Sequence, residues 1–183
     1  MTKCLVMVDW QNDYFPGGKM ELAGIENAAK NARILLTEFR KKKLTIIYIQ
    51  HISKAPNASF FLQGTDGAKI NNKVIPQEGE AIVVKNYPNS FRDTTLLQIL
   101  ENKRIDDLVI CGAMSHMCID ATTRAAFDLG FNCVVAEDAC ATKDLLFNSI
   151  IIKASEVPAS FMAALSSPYA KVVTTRDIVS NMA

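Results

Sequence analysis

Leu108-Val109-Ile110-Cys111-Gly112-Ala113-Met114-Ser115-His116-Met117-Cys118-Ile119-Asp120-Ala121-Thr122-Thr123-Arg124 carries the signal that sets the fold. Four apolar residues, Leu108 to Cys111, read as a strand covered on both faces. A short turn follows, then a helical pattern from Met117 to Leu129, closed by Gly130, a residue suited to ending a helix. Strand, turn and helix in that order form the repeating unit of a parallel sheet. The turn delivers Cys118 at or near the helix start, where the positive end of the helix dipole favours a thiolate. A thiolate can attack a carbonyl carbon. A free cysteine also packs well as a small buried apolar residue, and this stretch alone leaves both roles open.

The same alternation extends in both directions. Leu5 to Val8, Leu44 to Ile49, Ala81 to Val84, Phe131 to Ala136 and Tyr169 to Thr174 read as further strands. Between Ile25 and Lys42, apolar residues at Ile25, Ala28, Ala29, Ala32, Leu35, Leu36 and Phe39 form a helical stripe. Helices are also expected at Thr94 to Asn102, near 143–152, near 157–166, and from Arg176 onward. Residues 50–80 form a long connection containing Phe60-Phe61-Leu62. Loops of that length usually shape a site. Alternating strands and helices imply right-handed crossovers, hence an α/β fold: a three-layer αβα arrangement around a six-stranded parallel sheet. With 183 residues and no linker or repeat, a single domain spanning 1–183 is expected.

Composition narrows the function. Twenty basic and nineteen acidic residues give a net charge of +1, which argues against nucleic acid or an anionic membrane as partner. The one basic run, Arg40 to Lys43, falls at the end of a helical pattern, where cations suit the helix dipole. No apolar run approaches the roughly 20 residues that span a bilayer. The apolar block at Leu5 to Val8 is too short for a signal peptide, so a cytoplasmic location is expected. Five cysteines without a C-x-x-C pair do not resemble a disulfide framework. Cys4, Cys111 and Cys133 lie in apolar runs; Cys140 lies in a turn-like segment.

Ligands of open parallel sheets bind beyond the carboxyl ends of the strands. Asp9 follows the first strand, Lys85 the third, and Cys118 sits in the turn after the fourth. Each has a plain structural use, but together they can bring an acid, an amine and a thiol to one pocket. Asp9 in Val-Asp-Trp-Gln-Asn-Asp, Lys85 in Val-Val-Lys-Asn-Tyr-Pro-Asn-Ser-Phe, and the turn from Gly112 through Ala126 together resemble the isochorismatase-like cysteine hydrolases. That superfamily includes nicotinamidases and N-carbamoylsarcosine amidases.

The resemblance implies an isochorismatase-type, Rossmann-like fold, an Asp9-Lys85-Cys118 triad and a cis peptide between Ala113 and Met114. The implied reaction is hydrolysis of an amide or carbamoyl C–N bond in a small molecule, through a thioester on Cys118. Backbone N–H groups of Met114 and Cys118 would hold the oxyanion. Trp10, Phe15, His51, Tyr87, Phe91 and His116 are candidate pocket residues. No cofactor is expected. Nor is a metal: Gln50-His51-Ile52-Ser53 lacks the Asp-x-His pair of the nicotinamidase site, and His116 is the only other histidine. Members of the superfamily commonly form homodimers or homotetramers, and residues 60–62 offer an apolar surface for such contacts. The competing reading is a redox-sensitive thiol protein or a non-catalytic oligomeric binding module. A nucleotide-binding Rossmann domain is excluded, because no glycine-rich loop follows the first strand.

Overall fold

The computed structural model describes residues 2–182. Among these described residues there are eight strands: β1 (Thr2–Val8), β2 (Thr45–His51), β3 (Ala81–Lys85), β4 (Ile105–Ala113), β5 (Asn132–Ala141), β6 (Leu145–Phe147), β7 (Ile150–Ile152) and β8 (Lys171–Val173). Six of them form one parallel sheet in the order β3-β2-β1-β4-β5-β8. The five helices are α1 (Ile25–Lys41), α2 (Leu96–Asn102), α3 (Asp120–Asp128), α4 (Val157–Leu165) and α5 (Thr175–Ser180).

Alternation along β1 shows why its apolar run needs two covering layers. Leu5 and Met7 face one way, into a core shared with Leu35, Leu36 and Phe39 of α1 and Ile178 of α5. Cys4, Val6 and Val8 face the other way, against Leu96 and Leu100 of α2, Ala126 of α3, and Met162 and Leu165 of α4. The seven stripe residues of α1 are all buried. The result is the expected αβα sandwich. Strand order reverses between β1 and β4, which opens a crevice beyond their carboxyl ends.

Gly112 lets these two strands meet. Its φ of +135° is open to few other residues, and a Cβ there would fall on the Val8 carbonyl oxygen across the β1–β4 pair.

Three local expectations need correction. Residues 143–152 are not helical: β6 and β7 pair antiparallel as a hairpin, Leu145 opposite Ile152. Its tip, Asn148-Ser149, has φ of +46° and +64°, the sign pattern of a type I′ turn, whose twist matches paired strands. Cys140 lies within β5, opposite Gly112 and just past a register shift, rather than in a turn. The helix carrying Cys118 does not start cleanly at Met117. Ser115–Ile119 make a π-helical turn, with Ile119 N–H donating to Met114 O at 3.3 Å, before α3 begins at Asp120.

The apolar surface is also distributed differently from expectation. Phe61 is buried, 4.5 Å from the Tyr14 ring between centroids. The hairpin instead exposes four large apolar side chains, Leu146, Phe147, Ile150 and Ile151. Among the described residues, no helix is long and apolar enough to cross a membrane.

Candidate active site

Each element leads one side chain into the crevice. Asp9 is the first residue after β1. Its N–H donates to Ile49 O of β2 at 3.0 Å, and its φ of +54° is a left-handed conformation that aspartate tolerates better than most residues. Lys85 ends β3 and lies opposite His51, the last residue of β2. Cys118 sits inside the π-helical turn after β4. Asp9 and Lys85 are fully buried and Cys118 is 3% exposed.

The three groups meet at the Lys85 ammonium. Its Nζ lies 2.8 Å from Asp9 Oδ2, 3.1 Å from Cys118 Sγ and 3.1 Å from His51 Nδ1. The carbonyls of Tyr87 and Pro88 accept from it at 3.1 and 3.4 Å. The Asp9–Lys85 contact is a close ion pair by distance. Even so, neither carboxylate oxygen meets a well-aligned donor among the described residues. Asp9 is thus a buried carboxylate with lone pairs free for a proton.

Electrostatics refine the reading of the thiol. Burial pushes the Cys118 thiol up, the Asp9 charge adds to that, and Lys85 pulls part of it back. The dipole effect expected from the sequence is outweighed, because removing a thiolate from water costs more than a partial helix charge returns. For Lys85, burial opposes the charge, but Asp9 and Cys118 more than compensate, so its pKa is raised. Both shifts run the same way: the thiol holds its proton more tightly than in water, and the ammonium holds its charge more tightly.

Asp9, His51 and Cys118 each offer a ligand atom within 4.8 Å of the others, a grouping that could hold a metal ion by spacing alone. The Lys85 ammonium already sits against all three. A second cation there would face it at close range, so the donor set does not suit a metal while Lys85 is charged.

The remaining candidates divide. His51 joins the cluster directly. Met114 precedes the π-helical turn, its peptide bond with Ala113 is cis, and its carbonyl accepts from Met117 and Ile119 N–H. His116 is held by Thr142, Nδ1 to Oγ1 at 2.7 Å, with its ring edge-on to Phe161. Tyr87 supplies a carbonyl to Lys85, and its ring carries the Arg92 guanidinium at 3.7 Å. Phe91 stacks on Phe131. Trp10 and Phe15 pack in the core on the α1 side. Asp120 and Arg124 form the ion pair expected of residues four apart, at 3.0 Å.

Two contributors were not evident in the sequence. Tyr14 is buried beside the cluster, and burial followed by the Asp9 and Cys118 charges raises its hydroxyl pKa. Ser90 hydrogen-bonds Thr122 of α3 through its N–H and hydroxyl, at 3.1 and 2.8 Å, anchoring the loop whose carbonyls hold Lys85. The turn-forming Pro88-Asn89-Ser90 was the only hint of that loop.

A family model described as the isochorismatase domain matches residues 3–175. The chain belongs to the isochorismatase family. An uncharacterized isochorismatase family protein of Bacillus subtilis, YddQ, is 47% identical over 175 residues, covering 96% of this chain and 97% of that protein. A crystal structure from Oleispira antarctica, assigned to the isochorismatase hydrolases, superposes with a TM-score of 0.94 at 50% identity, covering 98% and 96% of the two chains. A maleamate amidohydrolase of Pseudomonas putida is 23% identical over 192 residues, covering 97% of this chain and 85% of that protein. The isochorismatase family is one of hydrolases, with amidohydrolases among this chain's relatives.

Proposed function

We propose that this isochorismatase-family hydrolase cleaves an amide or carbamoyl-type C–N bond of a small molecule through a thioester on Cys118. One observation carries the reading: a buried carboxylate and a buried thiol share a single buried ammonium, with Nζ 2.8 Å from Asp9 Oδ2 and 3.1 Å from Cys118 Sγ. Asp9 takes the thiol proton as sulfur attacks the substrate carbon. Backbone N–H groups of Met114 and Cys118 hold the developing oxyanion. The C–N bond breaks, and Asp9 returns the proton to the departing nitrogen. Water then adds to the thioester with Asp9 as its base, the S–C bond breaks, and the acid leaves as the thiol is restored. Lys85 keeps its charge throughout and stabilises whichever neighbour is anionic.

The high thiol pKa fits this sequence, since the proton moves during attack rather than before it. It also weighs against the redox-sensor reading, because peroxide-sensitive cysteines are accessible and acidic, whereas Cys118 is buried with its pKa raised. The amidohydrolase relative supports the C–N assignment. The test is to quench the protein during turnover of small amides, ureides and carbamoyl compounds and weigh it intact. An added acyl mass on the Cys118 peptide is expected with a turned-over compound. Turnover with no adduct, under conditions that trap thioesters, would oppose the thioester route.

A further inference from the structure

His51 is the cluster member for which the chemistry above has no use. Its Nδ1 lies 3.1 Å from Lys85 Nζ but 4.0 Å from Asp9 Oδ2, so only the first contact is within hydrogen-bonding range. An ammonium has only donors, so a hydrogen bond between them requires Nδ1 to offer a lone pair, with the ring proton on Nε2. The ionisable groups facing the ring are Asp9 after β1, Lys85 at the end of β3 and Cys118 in the turn after β4.

The backbone that carries the ring is also pinned. Gln11 clamps the His51 backbone from both sides: its Oε1 accepts from His51 N–H at 2.7 Å, and its Nε2 donates to His51 O at 2.8 Å. The same Nε2 donates to Ala68 O, tying the clamp to the long connection, and the Phe61 ring lies 5.9 Å from the imidazole. Register places His51 directly beside Lys85 on the neighbouring strand.

We infer that His51 is a positioning residue: as a neutral acceptor on a backbone clamped by Gln11, it takes one proton of the Lys85 ammonium and so aims another at Cys118 Sγ. The ammonium has three protons and five acceptors around it. Without the fixed acceptor at Nδ1, it tips toward the Tyr87 and Pro88 carbonyls and supports the thiolate less. Burial lowers the His51 pKa; the Asp9 charge opposes this and the Lys85 charge adds to it, so the net shift favours the neutral ring. The inference rests on the proposed thiol chemistry, but its readout needs no substrate.

The experiment measures alkylation of Cys118 by iodoacetamide against pH, mapped to its peptide, in wild type, His51→Leu and His51→Asn. Asparagine keeps an acceptor oxygen close to the Nδ1 position; leucine keeps only bulk. His51→Leu should alkylate about tenfold more slowly at pH 7, with its midpoint moved upward, matching the loss of one hydrogen bond to a charged group. His51→Asn should stay within about threefold of wild type, well short of the loss of such a bond. Nitrogen-15 NMR of the wild-type imidazole gives a second readout that no folding defect can mimic, and the Nε2–H tautomer is expected. Leucine behaving like wild type, asparagine failing as badly as leucine while folded, or a proton on Nδ1 at pH 7 would each overturn the inference. Failure to hydrolyse any amide would count against the proposed function and leave this result standing.

Discussion

Lys85 shows how much a single side chain can be asked to balance. Fully buried, it is tolerated because Asp9, Cys118, His51 and two carbonyls surround its ammonium. Removing one partner of a buried ion pair leaves the other uncompensated, a cost of about 3–5 kcal/mol. Lys85→Met should therefore lower unfolding stability by that amount in urea titration. Adding Asp9→Asn to the same protein should recover part of the loss, since the stranded charge is then gone. Strictly additive losses would show that the two groups are not coupled. Asp9, Lys85 and Cys118 were legible in the sequence because each stands at the end of, or just beyond, a short apolar run. The direction of the thiol's pKa was not. The dipole at a helix start can be read from a pattern, whereas burial is created by residues as distant in sequence as Val8, Val83 and Met162, which share the Cys118 cluster.

The strands and α1 could be read because their periodicities are long and unbroken. The β6–β7 hairpin could not, since Leu145 to Ile152 is a short apolar run that suits helix and strand alike. The deciding signal was the Asn148-Ser149 pair with its left-handed backbone, a weaker form of the Asn-Gly turn. The π-helical turn at Ser115–Ile119 likewise has no periodicity of its own, and it sets Cys118 ahead of α3 rather than within it. Gly112 links these elements. Its position beside the Val8 carbonyl, one residue before Asp9, makes Gly112→Ala a test of how closely β1 and β4 must approach. We expect a loss of about 2 kcal/mol or more in unfolding stability, in the range of overpacked cores. Stability within about 0.5 kcal/mol of wild type would mean that the strands part without cost, contrary to close packing.

The sheet as a whole explains why three distant residues meet. The order β3-β2-β1-β4-β5-β8 sets β1 and β4 side by side at the reversal, so Asp9 and Cys118 emerge on its two sides, with Lys85 reaching in from the edge strand β3. Alternating strand and helix patterns revealed the layers and the parallel sheet, but not which strands would be neighbours. That order depends on crossovers chosen by packing. The long connection of residues 50–80 resisted reading for the same reason. Its contributions are single contacts, such as Phe61 N–H donating to Asp13 and Ala68 O accepting from Gln11, that have no pattern in sequence. If the crevice between β1 and β4 is where C–N bonds are cut, one sulfur atom is indispensable. The most direct measurement compares nitrogen released from a panel of small amides and carbamoyl compounds by wild type and by Cys118→Ala, with both proteins shown to be folded. Release by the wild type and none above background by Cys118→Ala is the predicted result. Hydrolysis of the same compound by Cys118→Ala at the wild-type rate would contradict it.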